Sequence, residues 1–551
     1  MSSMVAVSES VGPSRIGRSP DEAEAQTYNH SMAPDPSNRL RLAELVAALS
    51  IATDLGLGQP MAHALRTCLI AISLGRALGL REGQLADTYY TTLLRFVGCT
   101  SDSHELMAFA AGEDVRFRQL MVAIGNDTPD EMAPHLAQFM AAVGAGGDIP
   151  ARVRDALESP DGIGAQIAAV HCEVATMLAA RLGLGSTVCD ALRHAFERWD
   201  GRGFPDGRSG EEVPAPIRLA VVARDIEVLT RTRGLEETRD VLKRRRDRAF
   251  DPHIVDAFLK HGARIVAEIE AGDVWNDVLR GEPGCPRWVP AEQIDEALTA
   301  FADFADAKTP FTLGHSRGVA DFAETAARNL GLSATDATCV RRAGLLHDIG
   351  VSGVPNAIWE WKGTLSVDQW ERVRLHVYYT ERILARCECL RPISLIAAAH
   401  HERLDGSGYH RGSRGNDLDS RARVLAAADA CQAMLQPRPH RPARTLDDAA
   451  RELRKEVSAG RLDPQAVEAV LAGAGARPRR TVPSRPGNLT DREIEVLRLM
   501  AQGRSNREMA TSLGITPKTV GHHVQHIYDK IGVSTRAAAA VFAVENRLLY
   551  S

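Results

Sequence analysis

A chain of 551 residues is too long for one hydrophobic core and implies three or four domains at about 100 to 200 residues each. Its 66 basic and 71 acidic side chains leave a formal net charge of -5, which excludes a globally basic nucleic-acid coat but leaves room for a local basic face. The 9 cysteines include no CxxC pair, against a disulfide framework or zinc ribbon; apolar runs short of the roughly 18 residues a span needs imply a cytoplasmic protein without a membrane partner.

Residues 1–37 mix Ser, Pro, Asp and Glu without periodicity and read as a disordered tail. Beyond them apolar residues recur at spacings of three and four, so the expected fold is all-α, helix after helix. Two long stretches, 38–270 and 290–476, are alike. His63 answers His315, "RALGL" answers "RNLGL", and "LLRFVGCTSD" at 93–102 answers "LLHDIGVSGV" at 345–354. After an insertion in the first stretch, His171 answers His376, "ERWDGRGFPDG" answers "ERLDGSGYHRG", and Asp251-Pro252 answers Asp463-Pro464. Two helical bundles of common design in tandem are the expectation.

The first copy lacks most of the polar set of the second. Arg95-Phe96 stands for His347-Asp348, Ala195-Phe196 for His400-His401, and Arg224 for Asp429. Two separated imidazoles cannot hold a pair of ions, and two guanidiniums repel cations, so this unit is expected to be metal-free. It packs against the other unit, docks a partner or, through the loop around Phe204, recognises a small molecule.

The second copy orders His315, His347, Asp348, His376, His400, His401 and Asp429 along helical apolar faces; His315 shares a stripe with Val319, Phe322 and Ala326, and His376 shares one with Val373, Thr380 and Ile383. A single inward imidazole is ordinarily a hydrogen-bonded core residue. Five, with two carboxylates, resist common desolvation unless a cation gathers them. Imidazole and carboxylate donors without thiolate suit two divalent transition metals, Fe, Mn or Zn, sharing one carboxylate.

"HDIG" followed by "HHERLDGSGYH" resembles the HD-GYP branch of the HD phosphohydrolases over about 300–475. The resemblance implies an all-helical fold and metal-activated hydrolysis of a phosphodiester such as cyclic di-GMP. It places one metal on His315, His347, Asp348 and Asp429, and a second on His376, His400 and His401, with Asp348 bridging and acting in catalysis. It also implies catalytic roles for Arg403 and Arg438 at phosphate, and ligand binding by Gly406, Gly408 and Tyr409. The chain departs from the family pattern at Val351 in place of Lys, His410 in place of Pro, Gln432 in place of an acid, and Phe311 in place of the Glu of a third metal.

A Pro- and Arg-rich break, 477–487, reads as a linker to a last domain at 488–551. Thr490 with Glu493 and Ser505 with Glu508 form capping-box signatures, Gly503 and Gly514 close helices, and Thr516-Pro517 opens a third whose buried stripe is Val520, Val524, Ile527 and Ile531. "LTDREIEVL", "SNREMA" and "TPKTVGHHV" resemble the LuxR-type helix-turn-helix. That resemblance implies DNA contacts by Arg507, Lys518, Thr519, His522, Gln525 and Lys530, and a homodimer formed through the Ala-rich helix after Ser534.

The expected function is a DNA-binding transcriptional regulator whose dinuclear metal domain hydrolyses or senses a phosphorylated nucleotide. The alternatives are a phosphohydrolase that the last domain merely localises, and a catalytically dead scaffold for a dimeric regulator.

Overall fold

The computed structural model describes residues 40–101, 103–124, 129–159, 162–475, 486–546 and 548–549; the expected tail and positions 477–485 of the expected linker lie outside them. Among the described residues the regular elements are helices, apart from an antiparallel ladder of Leu40–Arg41 with Trp288–Val289 and isolated bridges such as that of Phe196 with Phe204. That ladder brings the start of the first stretch to the start of the second.

Between residues 40 and 280 the principal helices are Leu42–Gly56, His63–Ala77, Glu82–Leu94, Ile163–Arg181, Ser186–Arg193, Ala215–Arg233 and Pro252–Ala271. The insertion forms four shorter helices: Ser103–Phe109, Asp114–Ile124, Pro129–Ala142 and Ile149–Glu158. From residue 294 the order is Ile294–Asp306, His315–Asn329, Ala334–Leu346, Val367–Leu384, Arg391–Ala397, Ser420–Leu435 and Pro464–Gly475, with Leu446–Ser458 between the last two.

Local contacts recur at matching places. His63 and His315 each open a helix, and the amide after each is held by a buried acid: Ala64 N donates to Asp54 Oδ1 at 3.1 Å, Ser316 N to Asp306 Oδ2 at 2.9 Å. Short 3-10 turns, Val97–Thr100 and Ile349–Gly353, follow corresponding helices. Their Gly98 and Gly350 lie so close to the backbones of His171 and His376 that a Cβ at either would collide.

The helix Leu42–Gly56 is buried along nearly its whole length and belongs to a hydrophobic cluster that also holds Tyr89, Leu178, Phe301, Phe322 and Ile383. One continuous core therefore spans both stretches, and each fully buried aliphatic or aromatic side chain contributes about 1.5–3 kcal/mol. Ser352 donates its hydroxyl to Ala52 O at 2.7 Å, so the turn after His347 is pinned to this shared helix.

The 163–181 helix corrects one expectation. Its acid and base are only Glu173 and Arg181, which makes it long and apolar enough to cross a membrane by length and composition. It buries His171 and packs within the protein, and its two charged residues bind the last domain.

That domain comprises Asp491–Ala501, Asn506–Leu513, Pro517–Ile531 and Arg536–Glu545. Both capping boxes form, Thr516 caps the third helix, and Gly514 ends the second at φ 64°. Leu313, two residues before His315, enters the domain's hydrophobic core, and a cavity of 340 Å³ between Pro310, Leu313, Met500, Gly503 and Ala540 marks the junction. The final helix rests on the 163–181 helix: Ser534 N and Thr535 Oγ1 donate to Glu173, and Arg181 pairs with Glu545 at 3.1 Å.

Candidate metal centre

Helix geometry carries the polar set inward. His315 opens one helix, His347 and Asp348 follow the end of Ala334–Leu346, His376 lies within Val367–Leu384, His400 and His401 follow Arg391–Ala397, and Asp429 lies within Ser420–Leu435. All the expected ligands are gathered. His376, His400 and His401 form one group, His315, His347 and Asp429 a second, and His347, Asp348 and His400 a third, with donor atoms within 4.8 Å inside each group.

Asp348 stands between the groups. Its Oδ2 lies 3.3 Å from His347 Nε2 and 3.9 Å from His315 Nε2, while its Oδ1 lies 3.5 Å from His376 Nε2 and 3.6 Å from His400 Nε2. Asp429 closes the other side, Oδ1 at 3.2 Å from His315 Nε2 and Oδ2 at 3.7 Å from His401 Nδ1.

Proton placement tests whether this set fits metal. His376 Nδ1 faces the carbonyl of Val373 at 2.5 Å, His400 Nδ1 that of Ala397 at 2.7 Å, and His347 Nδ1 that of Gly344 at 2.8 Å. A carbonyl only accepts, so each ring places an N-H there and turns its Nε2 inward. Burial disfavours charge on His376 and His400, so their Nε2 atoms confront one another at 3.2 Å as two lone pairs, while His347 Nε2 faces Asp348 Oδ2 at 3.3 Å. Two imidazole nitrogens on one ion at about 2.1 Å each lie roughly 3.0 to 3.4 Å apart, so the spacing suits a shared cation.

Electrostatics agrees. Burial pushes His400 and His401 well below the ordinary imidazole range, with neighbouring imidazoles adding to the effect, so both rings are neutral donors. Burial would lower His347, yet Asp348 and Asp429 raise it to about 9, a mark of how strongly positive charge is favoured between these acids. Burial would raise Asp348, but His347, His376 and His400 hold it well below the usual carboxylate range.

The loop after the double His approaches closely. Gly406 takes φ 81°, which glycine alone adopts readily, and a Cβ on Gly408 would collide with the backbone of His401, Glu402 and Arg403. Tyr409 lays its ring 4.8 Å from that of His401, with the Arg374 guanidinium 5.8 Å from the tyrosine centroid. Arg403 and Arg438 are engaged with backbone: Arg403 Nη1 donates to Glu402 O at 2.8 Å and Arg438 Nη1 to Phe311 O at 2.8 Å. Val351, at the lysine position, is buried and apolar.

Sequence reasoning missed three supporting residues. Gln436 accepts from His315 Nδ1 at 2.9 Å and orients that ring. Glu402 accepts from Arg411 N and Ser413 N at 2.8 and 2.9 Å, holding the loop, as Glu197 does for Asp206 N and Gly207 N at the matching place. Trp359 sets its ring 5.8 Å from His376. Only Glu402 had a signal, its repetition as Glu197.

In the last domain Lys518, His522 and Gln525 are exposed on the outer face of the 517–531 helix, and Arg507 is exposed on the helix before it. Thr519 is half-buried and joins Thr516, while Lys530 Nζ pairs with Glu493 at 2.7 Å.

The family described as HD domain matches residues 164–254 and 299–466, and the luxR family of bacterial regulatory proteins matches 487–543. The chain is 30% identical over 440 residues to the 3'3'-cGAMP-specific phosphodiesterase 3 of Vibrio cholerae serotype O1, covering 79% of this chain and 94% of the relative. It is 33% identical over 182 residues to a cyclic di-GMP phosphodiesterase of Thermotoga maritima, covering 32% of this chain and 48% of the relative. A crystal structure of a cyclic GMP-AMP specific phosphodiesterase of V. cholerae superposes with a TM-score of 0.56 at 27% identity, covering 80% of this chain and 99% of that one. The chain belongs to the HD-domain family that includes the V. cholerae phosphodiesterase, and it carries at its carboxyl side a domain of the luxR family.

Proposed function

We propose that the chain is a DNA-binding regulator whose HD-GYP-type centre cleaves a cyclic dinucleotide, 3'3'-cGAMP or cyclic di-GMP, with two divalent transition metals, Fe, Mn or Zn. The observation that carries this reading is Asp348, which turns one carboxylate oxygen to each of two groups of inward-facing imidazoles. Bound there, two cations would lower the pKa of water and neutralise charge developing on a phosphodiester. The chain's own residues would do the rest: Gln436 orients His315, Gly406 and Gly408 let the loop backbone approach the ligand, and Tyr409 offers a ring to a base. The names of the relatives support a cyclic dinucleotide over other phosphodiesters.

The first stretch, 38–270, is read as a degenerate copy of the same bundle, on the strength of Asp54 with Asp306, Glu197 with Glu402, and Gly98 with Gly350. The regulatory reading rests on continuity: the segment Thr309–Leu313 touches the luxR-family domain and leads directly into His315. Occupancy of the centre would then bias how that domain is presented to DNA as a homodimer in the cytoplasm.

Incubating the metal-loaded protein with 3'3'-cGAMP and cyclic di-GMP, beside an Asp348→Ala control, tests the enzymatic reading. Turnover by the wild type alone is expected; equal turnover, or none in either, defeats it.

A further inference from the structure

We propose that the first unit binds a phosphate group, free or carried by a nucleotide, on the guanidiniums of Arg95 and Arg224. Both side chains are buried, Arg95 at 4% exposure and Arg224 at 6%. Arg95 Nη2 donates to Ala195 O at 3.2 Å, but its Nε and Nη1 have no partner among the described residues. Arg224 donates to Asp225 and to Met121 O at 3.2 Å, and its Nε is likewise unpartnered.

Asp225 is bonded to both Arg224 and Arg245, and among the described residues no acid is bonded to a nitrogen of Arg95. Burial and the neighbouring Arg224 charge push Arg95 down to about 9, with the Asp225 charge opposing. A buried, unpaired guanidinium is costly, and an anion with several acceptor oxygens relieves that cost. Planar N-H forks suit phosphate in particular.

The position strengthens the case, and this part rests on the tandem reading. Arg95 and Arg224 stand where the second unit has His347 and Asp429, so covalently held cations occupy the place of two metal ligands. Phe96 and Phe196, both half-buried, stand at the positions that Asp348 and His401 hold in the second stretch. Arg95 lies 4.8 Å from the Phe96 centroid, and Phe196 is 4.9 Å from the ring of His171. Guanidiniums beside aromatic rings match the two halves of a nucleoside phosphate.

The test uses the full chain with Asp348→Ala, which removes the bridging ligand of the other centre, titrated calorimetrically with inorganic phosphate and, separately, with cyclic di-GMP. Chelator is present in both arms. Binding of at least one probe is expected to persist in this background and to weaken about 10- to 100-fold on adding Arg95→Gln. Arg224→Gln should weaken it as well, and circular dichroism reports whether each variant is folded; if Arg95→Gln is not, Arg224→Gln decides. Tighter binding of cyclic di-GMP assigns a nucleotide, and phosphate alone assigns a free-anion site. Absence of binding to Asp348→Ala, or affinity unchanged in the folded Arg variants, overturns the proposal. Because the readout needs neither metal nor turnover, it can fail while hydrolysis at the other centre stands, and the reverse.

Discussion

Thr535 Oγ1 donates to Glu173 Oε2 at 2.5 Å across 362 residues of sequence, tying the cap of the last helix to the middle of the 163–181 helix. Arg181 secures the far end through Glu545. The Ala-rich helix expected to form a dimer interface is thereby covered in this arrangement. Replacing Glu173 and Arg181 with Ala should release it and raise DNA affinity of the full chain by about fivefold or more. Fluorescence anisotropy with duplex DNA at fixed salt checks this; equal affinities would show that the contact restrains nothing.

Lys518 is exposed on the outer face of the third helix of that domain, whereas Lys530 is paired with Glu493. Lys518→Ala should reduce the dependence of log affinity on log salt by about one, and Lys530→Ala should leave that slope unchanged while lowering the melting temperature. Affinity measured across a salt series separates the two.

Metal removal should destabilise the second stretch. A bound cation stabilises only the folded state, so chelation is expected to lower the melting temperature of the wild type by several degrees. The Asp348→Ala protein, lacking the shared ligand, should melt at one temperature with or without chelator, which scanning calorimetry would register.

Gly408 lies against the backbone of His401 to Arg403, and Gly203 lies in the same way against that of Phe196 to Arg198. Alanine at either place is overpacked, at about 1–3 kcal/mol. Chemical denaturation should find both variants destabilised, but only Gly408→Ala should also impair hydrolysis, since the loop it shifts borders the metal centre.

His171 supplies a pH dependence in the first stretch. Burial, aided by the charges of Arg95 and Arg118 and opposed by the bond to Arg95 O, pushes its imidazole down to about 3. The unfolded chain takes up this proton below about pH 6.5, whereas the folded chain refuses it until about 3. Stability from this group is therefore complete above 6.5 and declines as pH falls through that window, by a few kcal/mol in order of magnitude. His171→Gln should flatten that decline in urea unfolding curves recorded between pH 7 and 4.

The caps of the last domain, its glycine terminators and the inward stripes of His315 and His376 were legible in the chain alone, because each depends on residues within one or two turns of each other. The chain alone pairs His63 with His315 and the two "DG" loops, and local contacts recur at those places: Asp54 and Asp306 each hold the amide after the histidine, and Glu197 and Glu402 each hold loop amides. Gln436 was not legible, since no spacing announces that it will meet a ring 121 residues away. The same holds for the unpaired nitrogens of Arg95, because counterions are supplied by neighbours in space. Sequence by itself determined the helices and the chemical kinds of side chain they carry. Only tertiary packing decided which oxygen of Asp348 faces which imidazoles, and that the 163–181 helix holds Thr535, because those energies arise between segments far apart along the chain.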